Sequence, residues 1–77
     1  MTTNIILPEL GEGITKATVS FWYFKPGDYI EEGEDMVEIA TDKATFNVSA
    51  TVSGKIQKIM VSSGQEAKIG EPLAVIE

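Results

Sequence analysis

Residues Pro26–Ile39 can be laid over Ser63–Ile76 at an offset of 37. Gly27 then meets Gly64, Gly33 meets Gly70, Glu34 meets Glu71, Met36 meets Leu73 and Ile39 meets Ile76. Such a repeat inside a chain of 77 residues implies two copies of one unit, each too small to bury its own apolar face. The stable arrangement for such units is a quasi-twofold pair of small sheets packed face to face, each half covering the other. At the start of each half the best offset is 41, which pairs Leu7 with Val48 and Gly13 with Gly54. The first half is therefore expected to carry four extra residues, in a surface loop around Leu10–Ala17.

Between these landmarks the chain reads as β-structure. Gly and Pro recur at short intervals and leave segments rich in Val, Ile, Thr and aromatic residues. The pattern predicts strands over Asn4–Leu7, Thr18–Phe24, Met36–Ala40, Ala44–Ser49, Lys55–Val61 and Leu73–Ile76, with short extended pieces near Tyr29 and Ala67. No segment has the period of a long amphipathic helix. In Val19–Phe24 the aromatic residues Trp22 and Phe24 are expected to fill the core rather than anchor a partner.

Size and charge limit what such a domain can do. A chain of 8.3 kDa is one domain, residues 1–77, whose folding removes only about 60% of the unfolded chain's surface from water. No large substrate cavity fits inside, so function is expected on the surface. Six lysines, no arginine and twelve carboxylates give a net charge of −6, which repels phosphate backbones and anionic headgroups. Neither nucleic acid nor a membrane is an expected partner. The acidity is local, since residues 1–40 hold eight acids and two lysines and residues 41–77 hold four of each. The longest uncharged stretch, Ala44–Gly54, is too short and too polar to span a bilayer. No basic side chain precedes Lys16, and the first apolar run is only Ile5–Leu7. With no cysteine present, the cytoplasm of a bacterium or the mitochondrial matrix is the expected compartment.

Independent catalysis is not expected. The chain lacks histidine and cysteine, and no Ser-x-x-Lys pattern activates Ser20, Ser49 or Ser53. Gly11-Glu12-Gly13 begins like a dinucleotide fingerprint, but Lys16 stands at the third glycine position and no helix pattern follows. The acidic run Glu31–Glu38 is not a calcium loop, because a loop starting at Asp28 would put Ile30 and Ile39 where oxygen ligands belong. It reads as a solvated face, and no metal site is expected.

The segment Met36–Val48 is a hairpin. Folding about the Asp42–Lys43 bond pairs Ile39 with Phe46 and Val37 with Val48 on one face, and Glu38 with Asn47 and Ala40 with Thr45 on the other. Two-residue connections usually carry Asn-Gly or Asp-Gly, because the primed turns need positive φ, yet lysine occupies the second position here. Such a departure often marks function, and Lys43 would extend its amine into solvent from a rigid support.

Four features taken together resemble the lipoyl domains of the acyltransferase components of 2-oxo acid dehydrogenase complexes. They are the opening Leu7-Pro8-Glu9-Leu10-Gly11-Glu12-Gly13-Ile14, the Thr41-Asp42-Lys43-Ala44 hairpin, the twofold repeat itself, and the glycine placement, with Gly27 sixteen residues before Lys43 and Gly54 eleven after. The resemblance implies a flattened barrel, or sandwich, of two four-stranded antiparallel sheets with quasi-twofold symmetry. It further implies that a lipoate ligase or octanoyltransferase joins lipoic acid to Lys43 through an amide. Asp42 and Ala44 would be recognition flanks, with Asp42 equally placed to stabilise the turn through its side chain. The Pro8–Ile14 loop, with Pro8, Glu9, Leu10, Gly11 and Glu12 as its recognition residues, would lie near the hairpin and help the decarboxylase recognise the domain.

By the same resemblance the chain is a swinging-arm carrier, non-catalytic itself and part of an acyltransferase. Its partners would be a thiamine diphosphate-dependent decarboxylase, the acyltransferase core and a flavin-dependent dihydrolipoamide dehydrogenase, with the isolated domain monomeric. A biotinyl carrier shares the architecture but typically flanks its lysine with methionines, where this chain has Asp42 and Ala44. An unmodified interaction module of the same fold would leave Lys43 a free amine. A glycine-cleavage carrier would need added helical segments for which the chain has no room.

Overall fold

The computed structural model describes residues 2–77, with a Cα envelope of 33 × 20 × 18 Å. Eight strands follow in order: β1 (Thr3–Ile6), β2 (Lys16–Trp22), β3 (Tyr29–Ile30), β4 (Asp35–Ala40), β5 (Thr45–Ser49), β6 (Gly54–Ile59), β7 (Glu66–Lys68) and β8 (Pro72–Ile76). The two short pieces expected near Tyr29 and Ala67 are β3 and β7. The strands form two antiparallel four-stranded sheets, β1-β8-β6-β3 and β5-β4-β2-β7. Among the described residues no ladder joins one sheet to the other, so the fold is a sandwich and not a closed barrel. The halves do not make one sheet each. Every sheet takes two strands from each half, which ties the halves together through backbone hydrogen bonds as well as through the core.

Backbone pairing also corrects the offset at the start of the repeat. Ile5 pairs with Ala74 as Val48 pairs with Val37. The Gly70 N–H donates to the Leu7 carbonyl as the Gly33 N–H donates to that of Ala50. Ile5 and Leu7 are therefore equivalent to Val48 and Ala50, at an offset of 43 rather than 41. Gly54 pairs with Ile30 as Ala17 pairs with Ala67, so Gly54 matches Ala17 at 37. The difference between these offsets puts six extra residues, not four, in the loop between β1 and β2. Matching Gly13 to Gly54 misleads because the two glycines do different jobs. Gly13 has φ +83° in a loop, whereas Gly54 lacks a positive φ and leaves no space for a Cβ.

Four turns with one design carry the repeat. In Lys25–Asp28, Glu31–Glu34, Ser62–Gln65 and Lys68–Glu71 the fourth residue's N–H donates to the first residue's carbonyl. Its side-chain oxygen accepts from the first residue's N–H in return, at 2.8 to 3.1 Å. The third residue is always glycine, with φ between +88° and +96°, as a type II turn requires. Glu34 and Glu71 are thus turn-closing groups as well as surface charges.

The core is wholly apolar: among the described residues no polar or charged side chain is buried. Leu7, Val19, Ile30, Met36, Ile56 and Leu73 are completely enclosed. Trp22 and Phe24 pack against this core, and the Trp22 indole N–H donates to the Val61 carbonyl at 2.9 Å, so both aromatics take the core role expected of them. A bulge in β2 between Val19 and Phe21 changes which face its neighbours take. Val19 and Trp22 point inward, while Phe21 and Tyr23 are 43% and 44% exposed.

Candidate functional site

The β4–β5 hairpin has the register read from its residue types. Val37 lies opposite Val48, Glu38 opposite Asn47, Ile39 opposite Phe46 and Ala40 opposite Thr45. The apolar pairs face the core, which makes a slip of one residue costly and holds the tip at a defined height above the sheet. The Thr41 N–H donates to the Ala44 carbonyl at 2.8 Å, leaving Asp42 and Lys43 as the two connecting residues.

The turn accommodates lysine because it is not of the primed type. No non-glycine residue has a positive φ among the described residues. The Thr41 hydroxyl does the closing. It accepts from the backbone N–H groups of Lys43 at 3.2 Å and Ala44 at 3.1 Å, and donates to the Ala44 carbonyl at 3.1 Å. One hydroxyl thus uses its donor and both acceptor sites, in the ST-turn manner that a Thr before a polar turn can signal. The turn-stabilising role expected of the Asp42 side chain thus falls to the Thr41 hydroxyl. Thr41→Val keeps the shape and removes the oxygen, so a loss of about 1 kcal/mol is expected. Hydrogen exchange should show the Lys43 and Ala44 amides less protected, and unchanged exchange there would refute the role.

Lys43 is exposed at the apex. No ion pair or hydrogen bond engages its amine among the described residues, the nearby ion pair being Lys16–Glu66 at 3.4 Å. Asp42 and Ala44 are exposed beside it. A primary amine with no ion-pair partner among the described residues, carried at a hairpin tip and flanked by a methyl group, suits amide formation with an activated carboxylic acid delivered by another enzyme.

The extra residues of the β1–β2 loop reach this hairpin at their far end only. Gly13, Ile14 and Thr15 share with Ala40, Thr41 and Lys43 a cleft of about 500 Å³ on the outer side of the β5-β4-β2-β7 sheet. Of the predicted recognition residues, Glu9, Gly11 and Glu12 line a neighbouring depression with Lys68 and Ile69. Pro8 lies with Ile6, Val48 and Thr51 on another flank, and Leu10 packs on the core. The Pro8–Ile14 loop thus meets the hairpin cleft through Gly13 and Ile14, with Thr15 following, while Pro8–Glu12 lie outside that cleft.

The chain is similar over nearly its whole length to known proteins. The family described as "Biotin-requiring enzyme" matches residues 3–76. The chain is 42% identical, over 99% of its length, to the dihydrolipoyllysine-residue succinyltransferase component of the 2-oxoglutarate dehydrogenase complex of Rickettsia typhi. It is 35% identical over its full length to the dihydrolipoyllysine-residue acetyltransferase component of the pyruvate dehydrogenase complex of Staphylococcus aureus. It spans about a fifth of the length of these relatives, 19% and 18% respectively. Among solved structures, the lipoyl domain of the 2-oxoglutarate dehydrogenase complex of Azotobacter vinelandii superposes with a TM-score of 0.77 at 34% identity, covering 96% of this chain and 94% of that one. The Kluyveromyces lactis urea carboxylase contains a region similar to the whole chain, with a TM-score of 0.84 at 25% identity over 6% of that protein.

Proposed function

The chain belongs to the biotin- and lipoyl-attachment family, as a lipoyl domain of the kind found in 2-oxo acid dehydrogenase acyltransferases, and on that premise we propose that Lys43 is its attachment point. One observation carries the assignment: Lys43 is the lysine the β4–β5 hairpin presents at its apex, exposed and without an ion pair among the described residues. Lipoic acid, when bound, supplies a dithiolane that takes up acyl groups and electrons, and that chemistry belongs to the group rather than to the domain.

What the chain contributes is position. The Lys43 amine, after losing a proton, would provide the nitrogen of the amide to an acyl group activated by the modifying enzyme, whose activating group leaves as the amide forms. Thr41 holds the turn that carries the amine, and the small Ala44 side chain leaves it approachable. Asp42 adds a negative charge that a modifying enzyme can read. Pro8, Glu9, Leu10, Gly11 and Glu12 serve recognition by a 2-oxo acid decarboxylase. The acyltransferase core and a flavin-dependent dehydrogenase are the other stations of the tethered carrier, which works at high effective concentration.

The reading of biotin in place of lipoic acid draws on the likeness to urea carboxylase, and one experiment separates the two. The domain is expressed with a lipoate ligase and lipoate, and in parallel with a biotin ligase and biotin, then analysed by intact and peptide-level mass spectrometry. A lipoyl adduct confined to the Lys43 peptide is expected. A biotinyl adduct, or a lipoyl adduct on another lysine, would overturn the assignment.

A further inference from the structure

The outer face of the β5-β4-β2-β7 sheet carries an aromatic pair that the core does not use. The Phe21 and Tyr23 rings meet edge to face, with centroids 4.9 Å apart and planes at 76°. Their exposure follows from the β2 bulge. The Tyr23 hydroxyl donates to Asn47 Oδ1 at 3.1 Å, the Asn47 amide donates to Asp35 Oδ2 at 3.2 Å, and the Ser49 hydroxyl donates to Asp35 Oδ1 at 3.1 Å. Glu38 lies in the middle, paired across the strands with Phe21 on one side and Asn47 on the other. Two rings and two carboxylates are thereby arrayed on one stiff surface, with no lysine among the residues that build it.

The twofold repeat supplies an internal control. The positions equivalent to Phe21, Tyr23 and Glu38 on the other sheet are Lys58, Met60 and Val75, because Lys58 pairs with Val75 as Phe21 pairs with Glu38. Asn4, which pairs with Val75, is equivalent to Asn47. The same backbone, bulge included, is therefore built without aromatic residues or a carboxylate. Folding does not demand the platform.

We propose that this face docks an arginine-bearing segment of a partner protein. Guanidinium matches the two features found together here: it stacks on aromatic faces and takes up carboxylate oxygens in a planar fork. Rings already held in place lose little rotamer freedom on binding. The acidity of the first half, net −6 over residues 1–40, attracts a basic segment and repels an acidic one. The platform lies on the same sheet face as the cleft beside Lys43, and Glu38 stands roughly 14 Å along the hairpin from its tip, at about 3.4 Å per residue. A partner seated on it would hold the Lys43 hairpin at its margin.

The test uses the unmodified domain, so it succeeds or fails independently of what is attached to Lys43. The domain is titrated with the blocked tetrapeptide Gly-Arg-Arg-Gly and followed by backbone amide NMR, with Gly-Glu-Glu-Gly as the control. Saturable shifts centred on Phe21, Tyr23, Glu38 and Asn47 are expected with the arginine peptide alone. The double variant Phe21→Lys/Tyr23→Met copies the twofold-related residues, and its binding should be about fivefold weaker or worse with its fold retained. Glu38→Gln keeps both rings and removes one charge, and it too should weaken binding, which provides a second reading should the double variant fail to fold. Shifts centred on the Glu31–Glu34 turn, unchanged binding in the variants, or no saturable shift would overturn the proposal. So would peptide-free shifts of the platform with protein concentration, which would mean that a second copy is the occupant.

Discussion

Replacing Lys43 by alanine is expected to abolish lipoylation of the domain and to leave its stability within about 0.5 kcal/mol of the parent. Both halves of that expectation follow from the hairpin. The Lys43 side chain is exposed and makes no ion pair among the described residues, so its removal takes nothing from the core. The contact it does make is its backbone N–H to the Thr41 hydroxyl, which alanine keeps. Mass spectrometry after expression with a lipoate ligase, beside a urea melt, measures the two effects separately. Residual modification at another lysine would sink the site assignment, and a large loss of stability would show that Lys43 belongs to the fold. Moving the lysine one residue along the hairpin should also stop modification, because successive side chains point to opposite sides.

Gly54→Ala is expected to act in the opposite sense, with a large loss of stability and no direct effect on Lys43. A Cβ at Gly54 would stand 2.5 Å from the Glu77 backbone oxygen and 2.8 Å from Ile76 Cγ2. Neither neighbour can yield cheaply. Ile76 is 1% exposed, and the Glu77 backbone exchanges two hydrogen bonds with Lys55, at 3.0 and 2.8 Å. Overpacking of this kind costs about 3 kcal/mol, a fall in Tm of roughly 12–24 °C for a domain of this size. Gly64→Ala supplies the contrast. Gly64 has φ +88° with open space where a Cβ would stand, so only backbone strain of about 1–2 kcal/mol is expected. Denaturant melts on both variants test the ranking, and a Gly54→Ala loss no larger than that of Gly64→Ala would refute the steric account.

These two positions also mark where the residue types were informative and where they were not. The hairpin was legible down to its register, because alternation of Val37, Ile39, Phe46 and Val48 leaves one pairing that buries all four on the same side. Lys43 was legible for the same reason, since a two-residue connection in that register must put it at the tip. The role of Thr41 was not, because a hydroxyl that closes a turn is written in the same letters as one that faces water. The reach of the β1–β2 loop was legible only in part. Its extra length shows as a failure of the repeat, but which of its residues arrive at the hairpin depends on Leu10 packing against the core and leaving Gly13–Thr15 as the closing stretch.

The sequence by itself determined the all-β class, the two copies, the turn glycines and the hairpin with its lysine, since each rests on local periodicity or on one residue's backbone freedom. Tertiary structure alone decided that each sheet draws strands from both halves, because hydrogen bonds between distant strands carry no signature in either strand's own residues. It alone decided the equivalences at the start of the repeat, which are set by pairing partners rather than by matching letters. It also decided how β2 buries both Val19 and the Trp22 expected in the core. Strict alternation would put Val19, Phe21 and Tyr23 on one side, yet the bulge keeps Val19 and Trp22 inside and sends Phe21 and Tyr23 out. One extra residue in a ladder reverses the faces beyond it, and only the partner strand shows where that residue lies.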